Sequence, residues 1–279
     1  MPNFITHQDT NSFTNEGLGS HARGSVYPLL NIALVTGLKP VLNNETFWSN
    51  SGRNYKDINF ATFFNINEKI PDGYIVIEID TWKAAFGRTE VLIETILNLT
   101  LDSKPTYLIV LSGPLRYVSP SSEVLSWFQT KCSKWHVNGN VTMAVHIRRG
   151  DMDVNVNQID WFINAIKTVN EIVPQITTNI VSEENFSVEE ESEIRNQFPW
   201  VTLSRGGTDT ILNDLKTLAA AKILIGSKSY FSALAGYLGP EDGIIIVDDG
   251  NNYFQTHNEI RNNVYTLNSE TLLEKLCTL

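Results

Sequence analysis

Short apolar runs alternate with amphipathic segments of helical length along most of the 279-residue chain. The runs are rich in β-branched residues, as is typical of strands buried within parallel sheets. We predict strands at 40–42, 74–79, 107–111, 141–149, 179–181, 200–203, 223–225 and 244–247, and we expect those at 74–79 and 107–111 to be buried. Residues 1–16 are polar and are predicted to be irregular.

Helices are predicted between these strands. The clearest has Ile159, Phe162, Ile163, Ile166 and Val169 on one face. Others are predicted from Ser20 to Val35, at 89–97, 122–134, 208–220 and 269–276, after residue 182 and after Gly226. In the first helix, Ser20 can act as N-cap and Gly37 as the stop, and Pro28 predicts a kink. The alternation predicts parallel sheets with right-handed crossovers, in two α/β halves that meet near Val137.

Composition restricts the class of partner. A formal net charge of -10 argues against nucleic acid as the main partner, because no basic stripe can neutralise phosphates. The two cysteines, Cys132 and Cys277, form no disulfide framework. No apolar run approaches the ~18 residues of a membrane span, and no signal pattern opens the chain. We therefore expect a cytoplasmic or otherwise soluble protein without an integral membrane segment.

The strand predicted at 141–149 delivers charged groups to its own end. It runs into His146, Arg148, Arg149 and Asp151. Alternation places His146 and Arg148 on one face, and Ile147 and Arg149 on the other. Ligands of open α/β sheets bind at the carboxyl ends of strands, and arginine donates paired hydrogen bonds to phosphate oxygens. The sequence favours an anion site here; the alternative is a buried strand whose Arg-Asp pair caps a turn.

A glycine-rich stretch precedes the first predicted helix. Gly17, Gly19 and Ala22 formally match the dinucleotide pattern G-x-G-x-x-G/A, but no hydrophobic strand leads directly into them. We interpret this stretch as a loop that lets the backbone approach a ligand at a helix N-terminus.

Three blocks together resemble the fucosyltransferase superfamily of α1,2-, α1,6- and protein O-fucosyltransferases. His146-Ile147-Arg148-Arg149-Gly150-Asp151 is similar to its H-x-R-R-x-D motif. The stretch from Asp214 to Phe231 resembles its third motif, in which an aspartate-led helix precedes a strand and a serine-rich turn. Gly17-Leu18-Gly19-Ser20 is similar to its N-terminal glycine loop.

The resemblance implies an inverting, metal-independent glycosyltransferase of the GT-B fold, in which two Rossmann-like domains face each other across a cleft. Residues 1–136 would form the acceptor-side domain, and residues 137–279 would bind the nucleotide sugar. Arg148 would bind the donor diphosphate, His146 and Asp214 the nucleotide base or ribose, and Ser229 and Tyr230 the phosphate at a helix N-terminus. The other implied donor-binding positions are Arg149, Asp151, Ser227, Gly17, Gly19 and Ser20.

The implied reaction transfers L-fucose from GDP-fucose to a glycan hydroxyl, with no cofactor besides the nucleotide sugar. Ser20, Lys228 and Tyr230 differ from residues common in the family, so another donor such as UDP-xylose stays open. A sugar-nucleotide-binding protein without transferase activity is a further alternative. Asp80, which follows a predicted strand, is the best-placed candidate for the base that takes the acceptor proton.

Two other features have competing interpretations. Asp151-Met152-Asp153 has the D-x-D form that metal-dependent GT-A enzymes use, but two arginines precede it and would repel a metal. Asp248-Asp249 is interpreted as a strand end. The aromatic residues outside the three blocks are expected to lie in the core rather than stack on sugars; they are Trp48, Tyr55, Trp82 and Tyr117.

Overall fold

A computed structural model describes residues 3–8, 20, 22–42, 69–135, 142–148, 159–182, 186–204, 210–255, 259 and 261–279. The chain divides into two compact units, Met1–Lys131 and Cys132–Leu279. In each unit the described strands form one sheet, and every pair of them is parallel. The predicted α/β class with parallel sheets is confirmed.

The N-terminal unit contains a four-stranded sheet with the order β2-β1-β4-β3. Its strands are β1 (Phe4–Gln8), β2 (Lys39–Pro40), β3 (Ile75–Asp80) and β4 (Tyr107–Ser112). Its helices are α1 (Tyr27–Thr36), α2 (Thr81–Ala85), α3 (Thr89–Leu97) and α4 (Ser122–Cys132). A 3-10 turn, Ser133–Trp135, follows α4.

Strand β1 corrects the prediction that residues 1–16 are irregular. It pairs with both β2 and β4 and is therefore an inner strand of its sheet. Phe4 and Ile5 are buried, and so is His7, whose Nε2 lies 2.8 Å from the carbonyl oxygen of Gly113. The sequence did not predict this strand because the segment is short and several of its side chains are polar. The groups that pair with them lie about a hundred residues away, so no local pattern shows that they are buried.

Strand β3 corrects a second prediction, that residues 74–79 are buried. Ile75 is 47% exposed and Val76 is 54% exposed. The reason is position: β3 pairs only with β4 among the described strands and lies at the edge of the sheet. Edge strands leave side chains open that an inner strand would cover.

Helix α1 shows how the predicted kink is resolved. A π-helical turn, Ala22–Val26, leads into α1, and Pro28 lies in the first turn of α1. A proline is tolerated there because the first N–H groups of a helix have no intrahelical partner. Gly37 ends the helix in the left-handed conformation, with φ of 71°, as its sequence position predicts.

The C-terminal unit contains a six-stranded sheet with the order β10-β9-β8-β5-β6-β7. Its strands are β5 (Thr142–Ile147), β6 (Thr177–Ser182), β7 (Thr202–Ser204), β8 (Ile223–Gly226), β9 (Ile244–Val247) and β10 (Val264–Tyr265). Its helices are α5 (Ile159–Ile172), α6 (Val188–Gln197), α7 (Ile211–Ala220), α8 (Tyr230–Leu238) and α9 (Glu270–Leu276). Counted within the unit, the strands follow the Rossmann order 3-2-1-4-5-6.

The two faces of β5 have different surroundings. Met143, Val145 and Ile147 belong to a core cluster that also contains Phe162 and Ile166 of α5. Ala144 and His146 alternate with them and lie on the opposite face. The predicted apolar face of α5 and the predicted alternation along β5 are both confirmed.

We expect Gly226→Ala to destabilise the protein. A Cβ at residue 226 would lie 2.8 Å from Cζ of Phe254, and that ring is enclosed, with 1% of the residue exposed. Overpacking of this kind costs about 1–3 kcal/mol, which chemical denaturation can measure. Phe254→Leu shortens the opposing group, so the double variant should recover part of the loss; strictly additive losses would contradict this packing explanation.

Candidate functional site

The order of the C-terminal sheet creates a switch point between β5 and β8. From β5 the chain proceeds outward to β6 and β7, then returns to β8 on the other side of β5. Val145 of β5 is paired with Ile225 of β8, so both strands end at the same level. Ligands of doubly wound sheets bind outside the carboxyl ends of strands at such a point.

Predicted site residues follow both strands at this point. Arg148 comes directly after β5 and is partly buried. Ser227, Ser229 and Tyr230 follow β8 and lead into α8. Arg149 and Asp151 lie outside the described residues, as do Gly17 and Gly19, whereas Ser20 is described and partly buried. The fold therefore brings together two of the three sequence blocks that carry the family resemblance.

His146 lies in a buried hydrogen-bond network beneath the switch point. Its Nδ1 is 2.5 Å from Oγ of Ser232 and 2.9 Å from Oγ of Ser227, and the two hydroxyl oxygens are 3.1 Å apart. No side chain of the three is more than 2% exposed. Burial, and then the charge of Arg148, lower the pKa of His146 to about 3. The imidazole is therefore neutral at physiological pH and contributes no positive charge to an anion site.

The first turn of α8 begins immediately beyond this network. Ser229 is the N-cap, and its Oγ accepts a hydrogen bond of 3.1 Å from the N–H of Phe231. Tyr230 is the first helical residue, and its ring packs edge-to-face against Tyr253 at 4.5 Å between centroids. The N-terminal end of a helix carries partial positive charge and favours an anion.

An ion pair joins the ends of β8 and β9. Lys228 Nζ lies 3.1 Å from Oδ2 of Asp248. The prediction that Asp248 marks a strand end is confirmed, since β9 ends at Val247. Its pairing with Lys228 was not foreseen, because sequence spacing does not show which strand ends are neighbours.

Asp214 lies in the first turn of α7, and the structure fixes its carboxylate internally. Ser204, the last residue of β7, donates to Oδ1 at 2.8 Å, and Thr210 donates to Oδ2 at 2.8 Å. The residue is 8% exposed. Its carboxylate thus links the end of β7 to α7, and the predicted contact of Asp214 with a nucleotide stays a prediction.

In the N-terminal unit, Asp80 is the N-cap of α2. Its Oδ1 accepts a 3.0 Å bond from the backbone N–H of Lys83, and its Oδ2 lies 3.1 Å from Nζ of the same residue. These two interactions with Lys83 lower the pKa of Asp80. A lower pKa weakens a carboxylate as a proton acceptor, and the role of Asp80 as a base stays a prediction.

The expectation that aromatic residues outside the sequence blocks lie in the core is wrong for two of them. Trp82 is 52% exposed and Tyr117 is 44% exposed. Trp48 and Tyr55 lie outside the described residues. The ring of Trp82 packs edge-to-face against Phe86 at 6.0 Å between centroids, and Phe86 is itself 57% exposed. This exposed pair lies directly after the carboxyl end of β3.

The described residues also bear on metal and membrane interactions. Within the described ranges, no three His, Cys, Asp or Glu residues are arranged to hold a metal ion. The D-x-D stretch at 151–153 lies outside those ranges. Among the helices that are described, none has both the length and the apolar character to cross a membrane.

The fold resembles solved glycosyltransferase structures. POFUT1 in complex with GDP aligns with a TM-score of 0.51 and 11% identity, over 85% of this chain and 95% of its own. Fucosyltransferase NodZ from Bradyrhizobium aligns with a TM-score of 0.44 and 14% identity, over 86% of this chain and 94% of its own. E. coli heptosyltransferase WaaC with ADP aligns with a TM-score of 0.42 and 14% identity, over 100% of both chains. No protein-family model and no curated protein matches the sequence.

At these identities the resemblance establishes the fold alone. That fold is the two-domain, Rossmann-like architecture of GT-B glycosyltransferases, as the resemblance of the sequence blocks implied. The order of the C-terminal sheet, 3-2-1-4-5-6, agrees with this class independently of any alignment.

We expect His146 to make the protein sensitive to acid. The pKa of His146 is about 3 in the folded protein and ordinarily 6.5. Between these two pH values His146 is protonated in the unfolded chain and neutral in the folded protein. Stability should fall with pH between about 6.5 and 3, by up to roughly 1.4 kcal/mol per pH unit from this residue. Relative to His146→Asn, the wild type should lose stability as pH is lowered from 7 to 4.5 in urea denaturation. A pH-independent difference would show that His146 is not held neutral.

Proposed function

We propose that this protein is an inverting, metal-independent glycosyltransferase that transfers a sugar, with L-fucose from GDP-fucose as the leading donor, to a hydroxyl of a glycan. Residues 137–279 bind the donor, and residues 1–136 serve the acceptor. The proposal rests on one observation above all. Arg148 and the first turn of α8 lie at the ends of the adjacent strands β5 and β8, at the switch point of a Rossmann-ordered sheet.

The residue types at this point suit a diphosphate leaving group. When a sugar departs from a nucleotide diphosphate, negative charge develops on the leaving oxygen. Preorganised cations and N–H donors stabilise that charge in the transition state. Arg148 supplies the cation and α8 the N-terminal dipole, within a chain whose net charge is otherwise -10.

The resemblance in fold supports the class of reaction. POFUT1 in complex with GDP has this architecture, and NodZ is a fucosyltransferase. A guanosine diphosphate donor is accordingly the first to test. UDP-xylose is the alternative donor, because Lys228 and Tyr230 stand where the family commonly carries serine and phenylalanine.

A binding protein without transferase activity is the second candidate. This candidate is favoured by the contacts of Asp80, whose two carboxylate oxygens cap α2 and pair with Nζ of Lys83, and which is therefore a weaker proton acceptor. The two candidates share the donor site and differ only in whether a base acts on the acceptor.

The donor site is tested by thermal-shift titration with GDP, UDP, GDP-fucose and UDP-xylose, with and without a divalent metal. We expect GDP compounds to raise Tm without metal, since a ligand at 100 times its Kd adds about 2.7 kcal/mol to stability. Arg148→Ala should abolish the shift and most transfer activity. Arg195→Ala removes an exposed arginine paired with Glu191 on α6 and should leave both unchanged.

Each alternative outcome of this titration is informative. A shift with UDP compounds alone would keep the site and change the donor. Near-wild-type transfer by Arg148→Ala would contradict the role of Arg148, and the absence of any shift would contradict the donor site itself.

The base is tested by Asp80→Asn. Asparagine caps helices about as well as aspartate, so the variant keeps the cap and loses only the basic carboxylate. If Asp80 takes the acceptor proton, kcat should fall by about 10²–10⁴ with little change in Tm. Asp80→Ala, which loses the cap as well, is the matched control for stability. A wild-type rate in Asp80→Asn would restrict Asp80 to capping.

A further inference from the structure

The buried network around His146 connects three separate parts of the C-terminal unit. His146 is the second-to-last residue of β5, Ser227 follows β8 directly, and Ser232 lies in the first turn of α8. Both hydroxyl oxygens approach the same atom, Nδ1, at 2.9 Å and 2.5 Å. Since the two hydroxyl oxygens are themselves 3.1 Å apart, one imidazole nitrogen of β5 and two serine hydroxyls form a three-membered cluster, with one serine on each side of the connection that contains Ser229 and Tyr230.

Two contacts enclose this network in apolar surroundings. The ring of Phe231 lies 5.1 Å from the His146 ring between centroids. Phe254 fills the space beside Gly226, directly before Ser227. Hydrogen bonds are stronger in such a low-dielectric interior than in water, so the bonds at Nδ1 hold the groups that they connect. The other ring nitrogen of His146, Nε2, is also buried and has no hydrogen-bond partner among the described residues.

We propose that His146 and Ser232 are positioning residues: through Nδ1 of His146 they fix the first turn of α8 relative to Arg148, so that both can engage the same anion. Arg148 is two residues beyond His146 on the same chain, so the network sets the spacing between the arginine and the helix terminus. This inference rests on the proposed function, because it assigns the diphosphate of the donor to that turn.

The charge state of His146 agrees with a positioning role. Burial and the charge of Arg148 keep the ring neutral. In one neutral tautomer Nδ1 accepts from a serine hydroxyl, and in the other it donates to Oγ of Ser232; neither tautomer adds a charge. The imidazole can therefore hold the turn without competing with Arg148 for the anion.

Two substitutions at residue 146 separate Nδ1 from Nε2. The asparagine amide places its terminal atoms one bond beyond Cγ, where Nδ1 lies, whereas glutamine reaches the position of Nε2. His146→Asn can keep the bonds to Ser227 and Ser232, and His146→Gln cannot. Ser232→Ala removes one partner of Nδ1 directly. Thr178→Val is the control, because it removes a buried hydroxyl that bonds only locally, to the carbonyl of Ile176 at 3.0 Å.

The experiment measures the Kd for GDP by calorimetry, Tm, and hydrogen exchange of the amides of residues 229–232 without ligand. We expect Ser232→Ala and His146→Gln to raise Kd by about tenfold, as the loss of one good buried hydrogen bond gives, and to accelerate exchange in the turn. His146→Asn should stay within about threefold of the wild type. Thr178→Val should lower Tm without changing Kd or exchange at the turn.

The outcomes distinguish this inference from the proposed function. Wild-type Kd and exchange in Ser232→Ala would overturn the positioning role, as would equal losses of affinity in His146→Asn and His146→Gln. If the wild type binds no GDP, the proposed donor fails and exchange alone decides. Faster exchange in Ser232→Ala and His146→Gln, but not in His146→Asn, would then support the fixed turn, and unchanged exchange would overturn it.

Discussion

The parallel pairing of β5 with β8 determines where the polar groups of the C-terminal unit meet. Residues 143–145 pair with residues 223–225, across about eighty residues of sequence. Everything at the switch point depends on this register: a shift by one residue would turn His146 toward the face of α5 and separate it from Ser227 and Ser232. The apolar alternation of both strands enforces the register, because it buries Val145 and Ile225 in one core cluster.

The electrostatics of the site follow from that burial. Among the described residues of this acidic protein, Arg148, the N-terminus of α8 and Lys228, which is paired with Asp248, lie at the same edge of one sheet. The histidine between them is kept neutral by desolvation and by the arginine. The positive charges thus belong to groups that follow the strands. His146, which lies within β5, is neutral and bonds to Ser227 and Ser232 instead. Such a division suits recognition of an anion, for which position and charge both matter.

The N-terminal unit uses the same architecture with different chemistry at its strand ends. Its inner strand β1 carries a buried histidine bonded to the Gly113 carbonyl, and the end of β3 carries Asp80 followed by the exposed pair of Trp82 and Phe86. In the described part of this unit, Arg116 follows β4 by four residues, and its Nε donates to the carbonyl oxygen of Phe86 at 3.0 Å.

The sequence by itself determined the α/β class, most of the strands and helices, and the strand that leads into Arg148, because these depend on local periodicity and composition. It assigned α3 as Thr89–Leu97 and β9 as Ile244–Val247 with the observed bounds. It missed β1, whose polar residues find their partners about a hundred residues away, and it misjudged the burial of β3, which depends on strand order. Only the tertiary structure decided that His146 bonds to Ser227 and Ser232 and that Lys228 pairs with Asp248. The physical reason is that the order and register of the strands decide which side chains are neighbours. The hydrophobic periodicity of a single segment predicts neither of them.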